Sequence, residues 1–133
     1  MKKNILLIHT GGTISMNMNA EIGAVLPNKQ NPLKNEKEIL SKYANVIEME
    51  AFNLPSPHIT PLEMLMLRNL IVEQATIYAL DGVVITHGTD TLEETAFFLD
   101  LTTRYNFPIV LTGAMRSSNE LGADGVYNLV EAV

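Results

Sequence analysis

The chain has 133 residues, 15 Asp and Glu against 9 Lys and Arg, a net charge of -6 and no cysteine. That length fits one domain able to bury a real core. The acid excess offers no broad basic face to a phosphate backbone or an anionic membrane, and the absence of thiols excludes a disulfide scaffold, a zinc ribbon and a thiol enzyme.

The chain opens with two lysines, but the apolar run that follows stops after Ile8, short of a signal-peptide core of about 7–15 residues. It reads as a first strand, Asn4–His9, of a cytoplasmic protein. Asn17–Asn31, rich in Asn and Gly, reads as a long mobile loop, and Asn35-Glu36-Lys37-Glu38 as the start of a short helix. Val46–Asn53 is a strand whose Glu48 and Glu50 alternate with Met49 and Ala51 on a solvated face. Thr60-Pro61-Leu62-Glu63 combines an N-cap, a proline at the first helical position and a capping-box carboxylate ahead of an apolar run to about Leu80. Met64, Met66 and Leu67 belong to its core-facing or core-covering side. Val83–His87 and Pro108–Thr112 are apolar on successive positions, as in strands buried on both faces.

Between those two strands, Thr91-Leu92-Glu93-Glu94 repeats the capping box and opens a helix through about Leu101. Leu92, Ala96 and Leu99 share one face, widened by Phe97, Phe98 and Leu101. Val126, Leu129, Val130 and Val133 keep helical spacing to the last residue, so a helix cut in mid-stride is expected there. No stretch approaches the roughly 18 uninterrupted apolar residues of a membrane span. Strand and helix alternate, which predicts a three-layer, doubly wound α/β domain with a mostly parallel sheet and helices on both faces. Ligands in such sheets bind at the carboxyl ends of the strands.

Three polar segments fall at those ends: Thr10-Gly11-Gly12-Thr13-Ile14, Thr86-His87-Gly88-Thr89-Asp90-Thr91 and Thr112-Gly113-Ala114-Met115-Arg116-Ser117-Ser118. Each has a plain structural explanation. Glycines suit a strand-to-loop turn, Thr91 caps a helix, and Arg116 pairs with Asp124 to hold the last loop. Together they line one crevice with hydroxyls, glycine backbone and a carboxylate. Such backbone can face a developing oxyanion, and a threonine hydroxyl becomes a nucleophile when a base takes its proton. The first segment has neither the lysine of a phosphate loop nor the third glycine of a dinucleotide fingerprint. Asp90 beside a helix N-terminus offers both signs of charge, which suits a zwitterion such as an amino acid. His9, His58 and His87 lack metal-ligand spacing, and His87 reads as a structural hydrogen-bonder.

Thr-Gly-Gly-Thr-Ile-Ser at 10–15 and Gly-Val-Val-Ile-Thr-His-Gly-Thr-Asp-Thr-Leu at 82–92 resemble the two signature segments of the bacterial-type L-asparaginases. Phe98-Leu99-Asp100-Leu101-Thr102, Gly113-Ala114-Met115-Arg116 and Ala123-Asp124-Gly125 extend the likeness over nearly the whole chain, the exceptions being about 16–35 and 36–45. The resemblance implies a type I-like, Rossmann- or flavodoxin-like N-terminal domain over 1–133, ending before a C-terminal domain. It implies hydrolysis of L-asparagine, or of L-glutamine, with Thr13 as nucleophile and no metal or organic cofactor. Thr89 would stand across the amide with its N–H near the oxyanion, beside Gly12 and Gly88. Asp90 would hold the α-ammonium, Ser56 the α-carboxylate, and the Ala114 carbonyl the leaving amide. A homodimer or homotetramer is implied for the full-length protein.

The chain departs from the family pattern in three places. No Tyr stands between Ile14 and Tyr43, where the family's loop carries one that assists Thr13, and Ala24 or Val25 takes roughly that place. Pro57 and His58 replace polar and acidic neighbours of Ser56. The family's catalytic Lys lies beyond the matched segments, so the resemblance implies that these 133 residues form an incomplete half-site, with turnover expected of the full-length protein. Two other readings share these residues. The amidase subunit of a tRNA-dependent amidotransferase predicts an extension before the first strand, whereas Met1 here precedes it almost directly. A non-catalytic amino-acid-binding module would need Asp90 and Ser56 but neither threonine.

Overall fold

Alternation along the first strand decides the layering. In β1 (Asn4–His9), Ile5 and Leu7 join one apolar cluster while Leu6 and Ile8 join another. Successive strand side chains point to opposite faces, so this strand must be covered on both sides. The computed structural model describes residues 1–19, 24–27 and 36–133. After β1 come β2 (Met16–Asn19), β3 (Ala24–Pro27), α1 (Lys37–Leu40), β4 (Asn45–Glu50), α2 (Pro61–Ile77), β5 (Gly82–Thr86), α3 (Leu92–Thr102), β6 (Ile109–Thr112) and α4 (Gly125–Ala132). Single 3-10 turns lie at Thr13–Ser15 and Ser56–His58.

The main sheet has the order β4-β1-β5-β6, and every pair in it is parallel. Leu40 of α1, Ala44 and Leu129 of α4 pack on the face that carries Ile5, Leu7 and Val84. Leu67 and Ile71 of α2 and Leu99 of α3 pack on the face of Leu6, Ile8, Val83 and Ile85. The expected doubly wound α/β architecture is therefore present. Each fully buried Leu or Ile contributes about 1.5–3 kcal/mol, so these two layers hold the strand ends in place.

Element ends follow local chemistry. Thr60 and Glu63 form the expected capping box of α2, with the Glu63 side chain accepting from the Thr60 N–H at 2.8 Å. That helix stops at Ile77, because Tyr78 turns extended and the chain then runs toward β5 through Asp81, which accepts the Asn4 N–H. β4 stops at Glu50, yet Ala51 N–H still donates to His9 O and Leu54 N–H to Thr10 O, so the chain follows β1 past the ladder.

Several expectations are corrected. The described part of Asn17–Asn31 is not loop: β2 and β3 pair antiparallel from Met16 opposite Pro27 to Asn19 opposite Ala24. The alternation Met16-Asn17-Met18-Asn19 is itself a period-two strand pattern. Residues 20–23 and 28–31 lie outside the described residues, as does Asn35 at the expected start of α1. Phe97 and Leu101 are exposed, since α3 buries only the narrower face around Thr95 and Leu99. Met66 is likewise exposed, unlike Met64 and Leu67. Glu48 is not simply solvated, because its Oε1 lies 3.0 Å from Nε2 of the buried His9.

Candidate active site

The strand order sets where the chain diverges. β1 leads to β4 on one side of it, while its other neighbour β5 leads to β6 on the opposite side. Chains leaving two adjacent strands in opposite directions open a crevice at their carboxyl ends. The turns carrying Thr13 and Thr89 leave the sheet there.

Backbone contact joins the two turns. Gly12 has φ 85°, and a Cβ placed on it would lie 2.3 Å from Gly88 Cα and 2.4 Å from Gly88 N. Only glycine at position 12 lets the turns meet this closely. A Cβ on Gly88 would in turn lie 2.5 Å from Ser56 Oγ, so Gly12, Gly88 and Ser56 stack in one column. Thr10 anchors the first turn, donating its N–H and its hydroxyl to Thr86 O at 3.1 and 2.8 Å. Thr13 begins the 3-10 turn closed by Ser15 N–H to Gly12 O, and it is half-buried.

The second turn is held by side chains. Ser56, 2% exposed, accepts the Asp90 N–H on its Oγ at 3.2 Å. Its carbonyl accepts the Thr91 hydroxyl at 2.9 Å. Thr91 therefore does not cap α3 with its side chain, as the capping-box pattern implies; the hydroxyl goes to Ser56 instead. Thr89 and Asp90 are exposed. Pro57, also exposed, occupies the second position of the Ser56–His58 turn. His87 is fully buried: Nδ1 lies 2.8 Å from Gly88 O and Nε2 lies 2.9 Å from Thr95 Oγ1. Burial holds its pKa below the ordinary value, against the raising effect of the bond to Gly88. A neutral, doubly bonded ring is structural, as its sequence setting suggests.

The loop after β6 closes the third side. Gly113 sits against His87 O and the Thr89 methyl group, 2.8 and 3.1 Å from where its Cβ would be. Ala114 is buried with Ile14 in the apolar layer, so its position is coupled to the first turn. Asp124 does not pair with the Arg116 guanidinium. Its carboxylate accepts the N–H groups of Met115 and Arg116, each at 3.0 Å, and Arg116 Nη1 donates to Leu121 O. Short loops fix their own amides before they fix a flexible cation, and those amide bonds hold the Asp124 pKa below the usual carboxylate range. Ser118 ties this loop to the entry of β2, donating its N–H and hydroxyl to Met16 O at 3.1 Å each.

Among the candidate residues, Gly12, Gly88, Ser56 and Asp90 are joined by direct contact or hydrogen bond, and Thr13 and Thr89 directly follow the touching glycines. Sequence reasoning missed Thr95, and it placed Thr10 and Ser118 in crevice-lining segments without their anchoring bonds. A buried Thr at the fourth position of α3, in phase with Leu92 and Leu99, was the available sign for Thr95.

The fold and site define a parallel α/β domain with hydroxyls, backbone amides and a carboxylate gathered at its topological switch point. Comparison with known proteins narrows that class. The family profile described as Asparaginase, N-terminal matches residues 4–133. The chain is 44% identical over 128 residues to a probable L-asparaginase of Deinococcus radiodurans, covering 96% of this chain and 38% of that protein. It is 40% identical over 138 residues to a glutaminase-asparaginase of Acinetobacter glutaminasificans, covering 99% and 41%. A crystal structure of a probable cytoplasmic L-asparaginase from Campylobacter jejuni matches with a TM-score of 0.88 at 36% identity, over 98% of this chain and 40% of that one. The chain belongs to the asparaginase family, in the region of its N-terminal domain, and spans about two fifths of the length of these relatives.

Proposed function

We propose that this domain carries the nucleophile and most of the substrate-binding groups of a cytoplasmic enzyme that hydrolyses L-asparagine to L-aspartate and ammonia. The observation that supports it most is the Gly12–Gly88 contact, which sets the two threonine turns side by side at the switch point. In this reading Thr13 Oγ1 adds to the side-chain amide carbon, and the carbonyl oxygen becomes an oxyanion facing the Thr89 N–H. The C–N bond breaks and the nitrogen leaves as ammonia with the proton given up by Thr13, its exit guided by the Ala114 carbonyl. Water then adds to the threonine ester, and the ester oxygen returns to Thr13 as aspartate departs.

Asp90 takes the substrate ammonium and Ser56 its α-carboxylate, with Gly12, Pro57 and Gly88 shaping the walls. The resemblance assigns the base that serves Thr89 to a lysine outside the matched motifs, and closure of the site to the C-terminal domain of a neighbouring copy. Assembly as a homodimer or homotetramer is part of the proposal. Glutamine is one methylene longer, a difference worth about 1–3 kcal/mol of discrimination, so it is the natural second substrate. Ammonia release from both amino acids, by the full-length protein and by its Thr13→Ala variant, tests the reading. Release from asparagine that disappears in the variant is expected, and release unaffected by the substitution overturns it.

A further inference from the structure

We propose that His87 is a positioning residue, which aims the Thr89 N–H into the crevice by holding the Gly88–Thr89 peptide from behind. The inference rests on the amide-hydrolysis reading but concerns a group outside the reacting set. Gly88 O can only accept, so the ring atom 2.8 Å from it, Nδ1, must carry the proton. The neutral ring then accepts the Thr95 hydroxyl on Nε2 at 2.9 Å. Both residues are fully buried, which leaves the imidazole no other hydrogen-bonded arrangement with these two partners.

The consequence follows from peptide geometry. No peptide bond in the described chain is cis, and in a trans unit C=O and N–H point in opposite directions. With Gly88 O drawn toward the buried ring, the Thr89 N–H points away from it. Thr89 is exposed, and no acceptor among the described residues takes that N–H. A glycine peptide flips more readily than any other, because no Cβ opposes rotation on the glycine side. A flip here would present a carbonyl oxygen where a donor is needed and reverse the sign of the field at a developing oxyanion. The His87 Nδ1–H bond holds the unflipped state. His87 N–H, bound to Thr112 O at 2.8 Å, keeps the ring's own backbone from following.

Two isosteric substitutions separate this role from simple packing. In His87→Asn the amide nitrogen replaces Nδ1, whereas in His87→Gln it replaces Nε2. His87→Gln is expected to lower kcat for ammonia release by about 100-fold with KM little changed, the size of losing one oxyanion donor. His87→Asn should recover most of that loss. A folded His87→Gln with wild-type kcat, or equal damage in both variants, overturns the proposal. Long-range ¹H–¹⁵N spectra of the wild type give a readout independent of turnover. An Nδ1-protonated neutral ring is expected, and an Nε2-protonated ring overturns the proposal. The Thr89 amide resonance should move in His87→Gln and stay near wild type in His87→Asn; no movement in either overturns it. Should the full-length protein release no ammonia from asparagine or glutamine, the hydrolysis reading fails, while these spectra still decide whether His87 sets the peptide.

Discussion

The two threonine turns leave neighbouring strands, yet opposite means hold them. The turn after β1 is held by backbone conformation: Gly11 and Gly12 sit at φ 105° and 85°, and a Cβ on Gly11 would lie 2.5 Å from Leu54 N and O. The turn after β5 contains no positive φ, and side chains from three segments hold it instead, Ser56, Thr91 and the His87–Thr95 pair. A turn built on backbone geometry tolerates almost no substitution and takes little from side chains beyond the Thr10 hydroxyl on Thr86 O. A turn built on side-chain bonds can be loosened one bond at a time. In the proposed reading, Thr13 as nucleophile stands on the first kind, and Asp90 and Ser56, which would meet a substrate's charges, stand on the second.

The largest expected effect is chemical. Thr13→Ala should lower turnover by at least about 10³-fold while leaving L-aspartate binding close to wild type, because the nucleophile acts in the transition state. Ammonia assay and calorimetry check the two halves. Next comes the backbone-held turn. Gly12→Ala places a side chain at φ 85° and against Gly88 backbone, and about 2–4 kcal/mol of stability should be lost in urea titration. Gly88→Ala meets chiefly the Ser56 side chain, with Ser56 N at 3.1 Å, and carries no positive φ, so a smaller loss of about 1–2 kcal/mol is expected. If the two glycines cost the same, the contrast between the turns is wrong.

Smaller effects sharpen the second turn. Ser56→Ala removes the acceptor of the Asp90 N–H, with an expected cost of about 1 kcal/mol in stability and a weaker hold on L-aspartate. The pH profile is subtler. Burial depresses the His87 pKa below its unfolded value of 6.5, so the unfolded chain takes up a proton first as pH falls. Stability is thus fully present above about pH 6.5 and declines below it, until the folded pKa is passed. His87→Asn should flatten that decline in urea titrations between neutral pH and the carboxylate range. A second, steeper loss is expected below it, where Asp81, Asp124, Glu63 and Glu120, all depressed by hydrogen bonds, become protonated.

What could be read from sequence was whatever a repeating pattern or a local cap records. β1 matches its expected bounds, α2 starts at Pro61 behind its Thr60 cap as the capping box requires, and α4 follows the Val126, Leu129, Val130 spacing. The threonine turns were legible because glycine and hydroxyl residues cluster at strand ends. Contacts made by the fold were not. Thr91 carries a cap sequence, but Ser56, 35 residues away, competes for its hydroxyl and wins. Glu48 looks solvated until His9 of the neighbouring strand reaches it. Phe97 and Leu101 look like core, but α3 has only one covered face, and no periodicity says how wide that face is. The stacking of Gly12, Gly88 and Ser56 depends on strand order, which one sequence does not display.

The central claim is that the crevice between β1 and β5 is an amidohydrolase site whose nucleophile is Thr13. Ammonia release from L-asparagine, followed for the full-length protein and its Thr13→Ala variant with L-aspartate binding measured on both, tests it most directly. Release by the wild type, its loss in the variant and equal aspartate affinity are the expected result. Equal release by both proteins, or aspartate binding with no release by the wild type, would contradict it.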